Sequence, residues 1–378
     1  INAEGQTIHS FFGFDFSVQG PLSYGQMSRD KISLVQHVDT IILDEVSMVR
    51  CDIIDAIDRT LRVCRHSSLP FGGIQMVFVG DMFQLPPVLR SGAEKEAMKA
   101  YYGTDVPFFF KANVFEQMTL TTIEFVKVYR QDELHFQKIL DNVRRGVCSE
   151  SDMFHLNSRC VEPAATDGPI ISLTPYNETA LKINTQKLEA IAEKEFTYEG
   201  TIDGKFGKKD KDGNVKDDNL PAPLKLTLKV GAQVMFTRND VSHRWVNGTL
   251  GTITELNEKE IKVKVGDDVH NVSCVVWESY DYEFDKKTKK FSKETAGTFT
   301  QFPLRLAWAI TIHKSQGLTF DNMILDLSRG TFAAGQLYVA LSRVRTLGGL
   351  YMTRPVRPSD FKKDDEVLAF ADNFNNDT

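Results

Sequence analysis

The fold is decided by the stretch VDTIILDEVSMVRCDIIDAIDRTLRVCR, residues 38–65, together with IQMVFVGD, residues 74–81. The apolar runs Val38–Val46 and Ile74–Gly80 predict strands that are buried on both faces. Between them, Met48–Arg65 places apolar residues at helical spacing and predicts an amphipathic helix. A strand, a helix and a second strand in this order indicate a parallel α/β layer.

The same pattern extends through the rest of the chain. A third apolar run, Leu120–Val128, predicts another strand, and Asp132–Arg145 predicts a helix after it. A further α/β unit is predicted in the second half from three strands and two helices: Ile170–Thr174, Asn322–Leu327, Gly349–Thr353, Glu178–Lys194 and Ala334–Arg345. Inside this unit, residues 195–300 contain short alternating segments, such as Gly251–Leu256 and Glu260–Val265, which indicate a small inserted β-barrel.

Length and composition indicate a globular protein with more than one core. The chain has 378 residues, of which 42% are hydrophobic and 25% charged, as is typical of folded multidomain proteins. The formal charge of −6 by itself argues against a partner that is a polyanion, but residues 301–357 contain seven basic and two acidic residues. Because this segment is locally basic, nucleic acid stays a candidate partner despite the negative net charge.

Several features exclude other classes of protein. No apolar run approaches the ~20 residues of a membrane span, and the N-terminus lacks a signal-peptide pattern, so we expect no membrane partner. Five scattered cysteines without C-x-x-C spacing argue against a zinc site or a disulfide framework and favour a reducing compartment. The chain begins with Ile1 instead of Met, and we expect it to be a fragment or a product that has lost its N-terminal part.

Two adjacent carboxylates, Asp44 and Glu45, directly follow the first predicted strand. Open α/β sheets bind their ligands at this carboxyl edge. In phosphoryl-transfer sites, such a pair holds Mg²⁺ with one carboxylate and polarises the attacking water with the other. An ordinary junction between a strand and a loop produces the same dipeptide, so the pair alone leaves both interpretations open.

Polar and basic residues at other strand and helix ends point to the same chemistry. Gln84 follows the second strand, where it can contact a γ-phosphate or its water, although a polar loop residue is the alternative. Arg130, after the third predicted strand, and Arg343, in the last helix, are candidate phosphate ligands because a guanidinium fork matches phosphate oxygens. A surface salt bridge is the alternative for each arginine.

Five motifs in a fixed order resemble those of a known helicase family. They are GQTIHSFF at residues 5–12, LDEVSM at 43–48, VGDMFQLPPV at 79–88, WAITIHKSQGLTFD at 308–321 and YVALSRVR at 338–345. Over nearly its whole length the chain resembles the petite-integration-frequency (Pif) family of superfamily-one, 5′-to-3′ DNA helicases. Residues 44–62 also resemble the signature segment of that family.

The resemblance implies an α/β fold with two RecA-like parallel-sheet domains in tandem. The implied division is residues 1–13 and 36–165 for a first domain that is incomplete at its N-terminus, 14–35 for a wedge insertion, 166–194 and 301–378 for the second domain, and 195–300 for the β-barrel insertion. Plausible wedge-tip residues are Phe16, Pro21, Leu22 and Tyr24. Turn and core roles suit Pro21 and Tyr24 equally well.

The resemblance also implies a role for each matching residue. At the nucleotide, Asp44 would ligate Mg²⁺ and Glu45 would activate water; the remaining implied contacts are Gln84 and Arg130 as γ-phosphate sensors, Gly317 in nucleotide binding, and Arg343 as an arginine finger. Contacts with single-stranded DNA are implied for Thr7, His9, Phe12, Asn177, Thr311, His313, Lys314 and Ser315. His9 and Phe12 also suit a packed pair at the start of a helix.

The implied activity is that of an ATP-dependent DNA helicase. With ATP and Mg²⁺ as cofactors, it would move 5′ to 3′ on single-stranded DNA and unwind duplex or G-quadruplex DNA at junctions of single and double strands. Family analogy implies roles in DNA repair, recombination or telomere maintenance. The expected protein is a monomer in the free state and intracellular, cytoplasmic in a bacterium or nuclear or mitochondrial in a eukaryote.

One family motif is missing from the sequence. No segment matches the Walker A loop, G-x-x-x-x-G-K-[ST], whose backbone cradles phosphates and whose lysine and hydroxyl complete the site. The alternative function is therefore an ATPase-inactive nucleic-acid-binding fragment. A binding module has no evident need for Asp44, Glu45, Gln84 and Arg343 together, and the segment His313–Asp321 with the inserted barrel disfavours any other P-loop ATPase.

Overall fold

The structure is a computed structural model that describes residues 5–15, 17–89, 91–163, 168–207, 215, 220–258, 260–285 and 290–374. The wedge-tip candidate Phe16 lies outside these ranges. Across the described ranges, no helix combines the length and the apolar character needed to cross a bilayer.

The first half consists of helices around two strands. In chain order they are α1 (Ile8–Phe12), α2 (Arg29–His37), β1 (Thr40–Leu43), α3 (Cys51–Arg65), β2 (Gln75–Phe78), α4 (Gly92–Tyr102), α5 (Leu134–Arg145) and α6 (Glu150–Asn157). Strands β1 and β2 pair in parallel with α3 between them in sequence, which confirms the predicted strand, helix and strand. The predicted burial on both faces was wrong: Ile42 of β1 is 66% exposed and no residue of β2 is fully buried, because the elements packed on this sheet cover only part of the two strands. We call the elements packed around this sheet the first unit.

The second half contains a parallel sheet and an antiparallel insertion. Its elements are β3 (Ile171–Thr174), α7 (Asn177–Glu189), β4 (Phe196–Glu199), β5 (Thr201–Gly204), β6 (Lys225–Leu228), β7 (Gln233–Phe236), β8 (Leu250–Leu256), β9 (Ile261–Val265), β10 (Asp268–Val272), β11 (Val275–Asp285), β12 (Lys290–Gln301), β13 (Leu304–Leu306), β14 (Ala309–Thr311), β15 (Met323–Leu325), α8 (Gln336–Leu341), β16 (Leu350–Met352) and α9 (Asp365–Phe374). The order β14-β3-β15-β16 forms the parallel sheet of what we call the second unit.

The insertion consists of antiparallel strands, as its alternating sequence predicts. Five strands pair in the order β10-β9-β8-β7-β13, and β11, β12 and β5 form another sheet. Because β13 pairs with β7, the antiparallel structure continues to Leu306, beyond the predicted end of the insertion at residue 300.

The predicted third strand, Leu120–Val128, does not form, and that prediction was wrong. The structure assigns no strand to this run, and Ile123, Phe125 and Val126 are each at least 76% exposed. A strand requires a neighbour for its backbone hydrogen bonds, and in the described part of the first unit the sheet consists of β1 and β2. Apolar composition alone does not supply that partner.

Packing between the units does not follow the chain order assumed in the sequence. Apolar residues of α5 and α6, including Phe136 and Leu156, share a core with the parallel strands of the second unit, although residues 36–165 were predicted as first domain. Conversely, Phe370 of α9 stacks on Phe110 in the first unit with ring centroids 4.0 Å apart. The two units are therefore tied together by elements that cross between them.

Helix α3 buries three carboxylates that anchor separate loops. Asp52, Asp55 and Asp58 are 0%, 3% and 6% exposed. Their oxygens accept hydrogen bonds from backbone N–H groups of three loops, at Gln19, at Asn113 and Val114, and at Phe71. Since buried N–H groups need partners, these carboxylates hold the first unit together.

Replacing Asp55 with Ala is expected to lower the free energy of unfolding by about 2 to 4 kcal/mol. The substitution leaves two backbone N–H groups without their acceptor, and each unsatisfied buried group costs about 1 to 3 kcal/mol. Urea denaturation followed by circular dichroism measures the change, with Val63→Ala, at an exposed position of the same helix, as the control. A loss no larger than that of Val63→Ala would show that Asp55 is not an anchor.

Candidate active site

The carboxyl ends of β1 and β2 bring the predicted catalytic residues to one edge of the first sheet. The two strands run parallel with Leu43 opposite Phe78, so the loops that follow them lie side by side. Asp44 and Glu45 follow β1, and the Asp44 Oδ1 atom accepts a hydrogen bond of 2.9 Å from the Glu45 N–H. Both residues reach solvent at this edge, with the Glu45 carboxyl partly covered by its neighbours.

Glu45 has a backbone conformation that non-glycine residues rarely adopt. Its φ of 53° and ψ of 42° lie in the left-handed region. Such conformations carry a cost and cluster at functional sites, where the surrounding structure enforces them. Here the Val46 N–H is held by the Val79 carbonyl, and a Cβ atom at Gly80 would lie 3.0 Å from the Val46 nitrogen. The tight approach of the two loops fixes the direction of the Glu45 side chain.

The surroundings of Glu45 raise the pKa of its carboxyl above the ordinary value. Partial burial is the main cause, and the negative charges of Asp44 and Asp81 add to it. Arg343 and Arg130 act in the opposite direction, which places both guanidinium groups close enough to influence this carboxylate. A carboxylate with a raised pKa is a stronger base, as general base catalysis requires.

The loop after β2 connects the first unit to the second. Asp81 and Gln84 face each other across a tight turn, with 3.4 Å between Gln84 Nε2 and Asp81 Oδ2. From the second unit, the Tyr338 hydroxyl donates to Asp81 Oδ2 at 2.9 Å, and Gln316 Nε2 lies 3.4 Å from Gln84 Oε1. Gln84 is therefore in contact with both units, at the place where the sequence predicts a γ-phosphate sensor.

Arg343 is buried at this junction and is surrounded by neutral acceptors. Its side chain is 1% exposed. Its Nε atom donates to the Val339 carbonyl at 2.9 Å and Nη2 donates to Ser342 Oγ at 2.7 Å. Burial, followed by repulsion from Arg130, lowers the pKa of Arg343 to about 10. A buried cation with such partners favours binding of an anion.

Arg130 and its neighbour Gln131 reach the backbone around Arg343. Arg130 Nη1 donates to the Ser342 carbonyl at 3.3 Å. The buried Gln131 amide donates to the carbonyls of Ser342 and Val344 at 3.0 and 3.1 Å. Sequence reasoning missed Gln131, Gln316, Tyr338 and Asp81, although the first two adjoin predicted site residues and Asp81 stands in the same motif as Gln84.

Gly317 lies beside Gln316 on the exposed side of the cleft. Its φ of 75° is left-handed, and a Cβ atom built on it meets no atom within 4 Å. A glycine is needed here for the backbone conformation and leaves open space next to Gln316. The position is compatible with its predicted part in nucleotide binding.

Of the predicted DNA contacts in the first unit, two reach solvent and one is buried. Thr7 is exposed, and its hydroxyl accepts from the Ser10 N–H at 3.4 Å as the N-cap of α1. His9 is partly exposed in the same helix. Phe12 is only 2% exposed and stacks on Phe14, so its ring belongs to the core and is not available to a base. In this structure Phe12 is packed as the alternative interpretation describes, because burying an aromatic ring removes a large apolar area from water.

The predicted contacts of the second unit divide in the same way. Asn177 and Lys314 are exposed, and His313 is partly exposed with its pKa lowered by burial, which favours the neutral imidazole. Thr311 and Ser315 are 3% and 0% exposed. Ser315 Oγ donates to the Ile312 carbonyl at 2.7 Å, so this hydroxyl stabilises the motif from within instead of facing a ligand.

The donor set at the edge of the first sheet suits Mg²⁺ bound together with phosphates. No cluster of three or more His, Cys, Asp or Glu side chains fit to hold a metal occurs in the described ranges. Mg²⁺ is commonly held by one or two carboxylates with phosphate oxygens and water, and Asp44 can supply that carboxylate. Asp44 could therefore hold a Mg²⁺ that arrives with a nucleotide.

Family descriptions match both halves of the chain. Residues 2–153 match the family described as PIF1-like helicase, and residues 214–256 match DNA helicase Pif1, 2B domain. The chain is 34% identical to the ATP-dependent DNA helicase Pif1 of Bdellovibrio bacteriovorus, over 98% of this chain and 79% of that protein. It is 31% identical to human ATP-dependent DNA helicase PIF1 over 97% of its own length and about half, 54%, of the human protein.

Solved structures show the same relationship. Bacteroides sp. Pif1 in complex with ADP-AlF4 matches with a TM-score of 0.87 and 36% identity, over 100% of this chain and 85% of that one. Bacteroides Pif1 bound to single-stranded DNA matches with a TM-score of 0.71 and 36% identity over the same shares. With the helicase motifs meeting between two RecA-like units and the similarity extending through the whole sequence, the chain belongs to the Pif1 family of ATP-dependent DNA helicases.

Proposed function

We propose that this chain forms the motor of a helicase that couples ATP hydrolysis to 5′-to-3′ movement on single-stranded DNA and to unwinding. The observation that supports the proposal is the meeting of Asp44, Glu45 and Gln84 from the first unit with Arg343 from the second. These are a metal ligand, a base, a sensor and a phosphate ligand, and together they are the parts that phosphoryl transfer requires.

Each residue has a distinct task in hydrolysis. Glu45 accepts a proton from the attacking water, Gln84 orients that water, and Arg130 binds the γ-phosphate. Arg343 leaves its neutral acceptors and neutralises the charge that develops on the transferred group. Mg²⁺, held through Asp44, would neutralise phosphate charge when the nucleotide is bound.

Contacts between the units supply the coupling to movement. Gln84 with Gln316, Asp81 with Tyr338, and Gln131 with Ser342 join groups that face the nucleotide to the second unit. When the γ-phosphate is lost, the residues that contact it no longer hold the two units together. The cleft then opens, and one unit advances along the strand. The exposed residues Leu22 and Tyr24 of the proposed wedge, residues 14–35, suit a surface that separates strands.

The proposed partners are single-stranded DNA and junctions of single and double strands, including G-quadruplex DNA, with the free protein as a monomer. Thr7, His9, Asn177, His313 and Lys314 are the retained candidates for strand contacts. The net positive segment 301–357 supports binding of a polyanion, and moderate charge suits a motor that must release its track in each cycle. Roles in repair, recombination or telomere maintenance are proposed from the family alone.

A second candidate function is binding of nucleic acid without hydrolysis. It is favoured by the lack of a G-x-x-x-x-G-K-[ST] segment in this sequence. Against it stands the convergence of Glu45, Gln84 and Arg343, because a binding module gains nothing from a strained glutamate and a buried arginine at the same cleft.

The proposal is tested in what we call the loop-extended chain, in which a strand and a G-x-x-x-x-G-K-[ST] loop precede Ile1. We expect this protein to hydrolyse ATP and to do so faster by about 10-fold or more when oligothymidine is added, since strand binding assembles the cleft. A coupled assay of ADP release measures turnover, and duplex DNA serves as the control effector. Absent or unstimulated hydrolysis would contradict the helicase assignment and favour the binding module.

A further inference from the structure

An aromatic cluster on the second unit lies outside the cleft described above. It consists of Tyr176, His313 and Phe332. The ring centroids of Tyr176 and Phe332 are 5.2 Å apart, and the rings of His313 and Phe332 are nearly parallel, at 22°, with centroids 6.3 Å apart. Phe332 is nevertheless 51% exposed, so one large part of its ring faces solvent.

The backbone of Phe332 is held in place by a buried side chain. Gln336 is 0% exposed, and its Oε1 atom accepts hydrogen bonds from the N–H groups of Phe332 at 2.8 Å and Ala333 at 3.2 Å. Its Nε2 atom is buried without a hydrogen-bond partner among the described residues. An unpaired buried amide costs free energy, and the loop nevertheless keeps this conformation. The two hydrogen bonds to Gln336 fix the main chain of Phe332, so the loop presents the aromatic ring from a defined position.

Positive charge lies next to the cluster. The Arg329 guanidinium is 4.2 Å from the ring centroid of Tyr176 and forms an ion pair of 3.0 Å with Glu178. Both partners are more than half exposed, so the pair is weak and Arg329 can exchange the carboxylate for a phosphate. Lys314, which follows His313, adds a second exposed cation.

The cluster also adjoins the retained candidates for strand contacts. Asn177 follows Tyr176 directly at the start of α7, and His313 is itself one of those candidates. A flat aromatic surface flanked by cations and amides matches a nucleotide, whose base stacks while its phosphate is neutralised. Only a single strand offers an unstacked base, because both faces of each base in a duplex are covered.

We propose that Phe332 is the stacking platform for one base of the single strand, with Arg329 on the adjacent phosphate. This inference rests on the proposed function and extends it by naming a contact to a base. Stacking on an aromatic ring stabilises a bound base irrespective of its identity. The contact therefore adds affinity without sequence preference, as movement along any strand requires.

The test uses this chain without nucleotide and measures its affinity for fluorescent oligothymidine by anisotropy. We expect Phe332→Ala to weaken binding by about 10-fold and Phe332→Trp to retain it, because tryptophan also offers a stacking face. Phe154→Ala, which removes another exposed phenylalanine on α6, is the matched control and should bind as the unaltered chain does.

A strand without bases separates stacking from a structural effect. On an abasic deoxyribose-phosphate oligomer of equal length, Phe332→Ala and the unaltered chain should bind equally. The platform would be overturned if Phe332→Ala and the unaltered chain bound oligothymidine with equal affinity. It would also be overturned if Phe332→Ala lost the same affinity for the abasic oligomer as for oligothymidine. Failure of the unaltered chain to bind oligothymidine at all would overturn the proposed function, and the platform with it.

Discussion

ATP turnover by the loop-extended chain is expected to fall by about 10²- to 10⁴-fold when Glu45 is replaced by Gln. General base catalysis contributes on this order, and an amide cannot accept the proton of the attacking water. The substitution is nearly isosteric and keeps the left-handed backbone that directs the side chain into the cleft. Affinity for oligothymidine should stay within about twofold, because the substitution removes a proton acceptor for water and leaves every candidate for strand contacts unchanged.

Steady-state ATP hydrolysis with saturating oligothymidine measures the effect of Glu45→Gln. The matched control is Glu96→Gln, which makes the same change at an exposed position of α4. The raised pKa of Glu45 adds a second signature, since turnover requires the deprotonated form and falls as pH drops through that pKa. Turnover equal to that of Glu96→Gln would remove Glu45 from the mechanism.

Replacement of Arg343 by Ala is expected to lower turnover by about 10³-fold or more, with little change in affinity for single-stranded DNA. Arginine fingers contribute 10³- to 10⁵-fold to turnover in related phosphoryl-transfer sites. In this structure the guanidinium is held by the Val339 carbonyl and by Ser342 Oγ, and both acceptors belong to the second unit. We expect the side chain to exchange these neutral acceptors for the γ-phosphate.

Because Arg343 is buried, a conservative variant is needed to separate catalysis from folding. Arg343→Lys keeps the positive charge but loses the planar fork, so we expect folding to be retained and turnover to stay at least 10-fold low. Arg345→Ala is the control, since Arg345 lies two positions after Arg343, is exposed and pairs with Asp321. A large loss of DNA affinity with normal turnover would instead place Arg343 in the strand-binding groove.

The local pattern of the sequence was sufficient for most of the elements. Strands β1 and β2 and helix α3 form inside the predicted ranges because apolar runs and a helical apolar stripe are the local signals of these elements. The predicted burial of both strands on two faces was wrong, since Ile42 of β1 is 66% exposed. Asp44, Glu45 and Gln84 lie at one edge since parallel strands necessarily end together. The prediction of a third strand failed because a strand needs a neighbouring strand for its backbone hydrogen bonds. The local composition of a segment does not show whether such a neighbour exists.

The sequence named individual candidate residues of the site, but it did not show the hydrogen bonds that join them. The motifs named Arg130 and Arg343, yet the Gln131 amide that fixes the carbonyls on both sides of Arg343 joins positions more than 200 residues apart. Likewise, no local signal distinguishes Phe12, which is buried, from Phe332, which is half exposed. Exposure of an aromatic ring is set by what packs over it, and that depends on distant parts of the chain.

The sequence by itself determined the fold class, the family and the candidate residues of the cleft, because those follow from periodicity and from the order of short motifs. Only the tertiary structure decided which candidate side chains are exposed and which are buried, that α5 and α6 pack with the second unit, and that α9 returns to the first. The physical reason is that periodicity is encoded within a few turns of chain, whereas burial and hydrogen-bond partners arise from contacts between segments far apart in sequence.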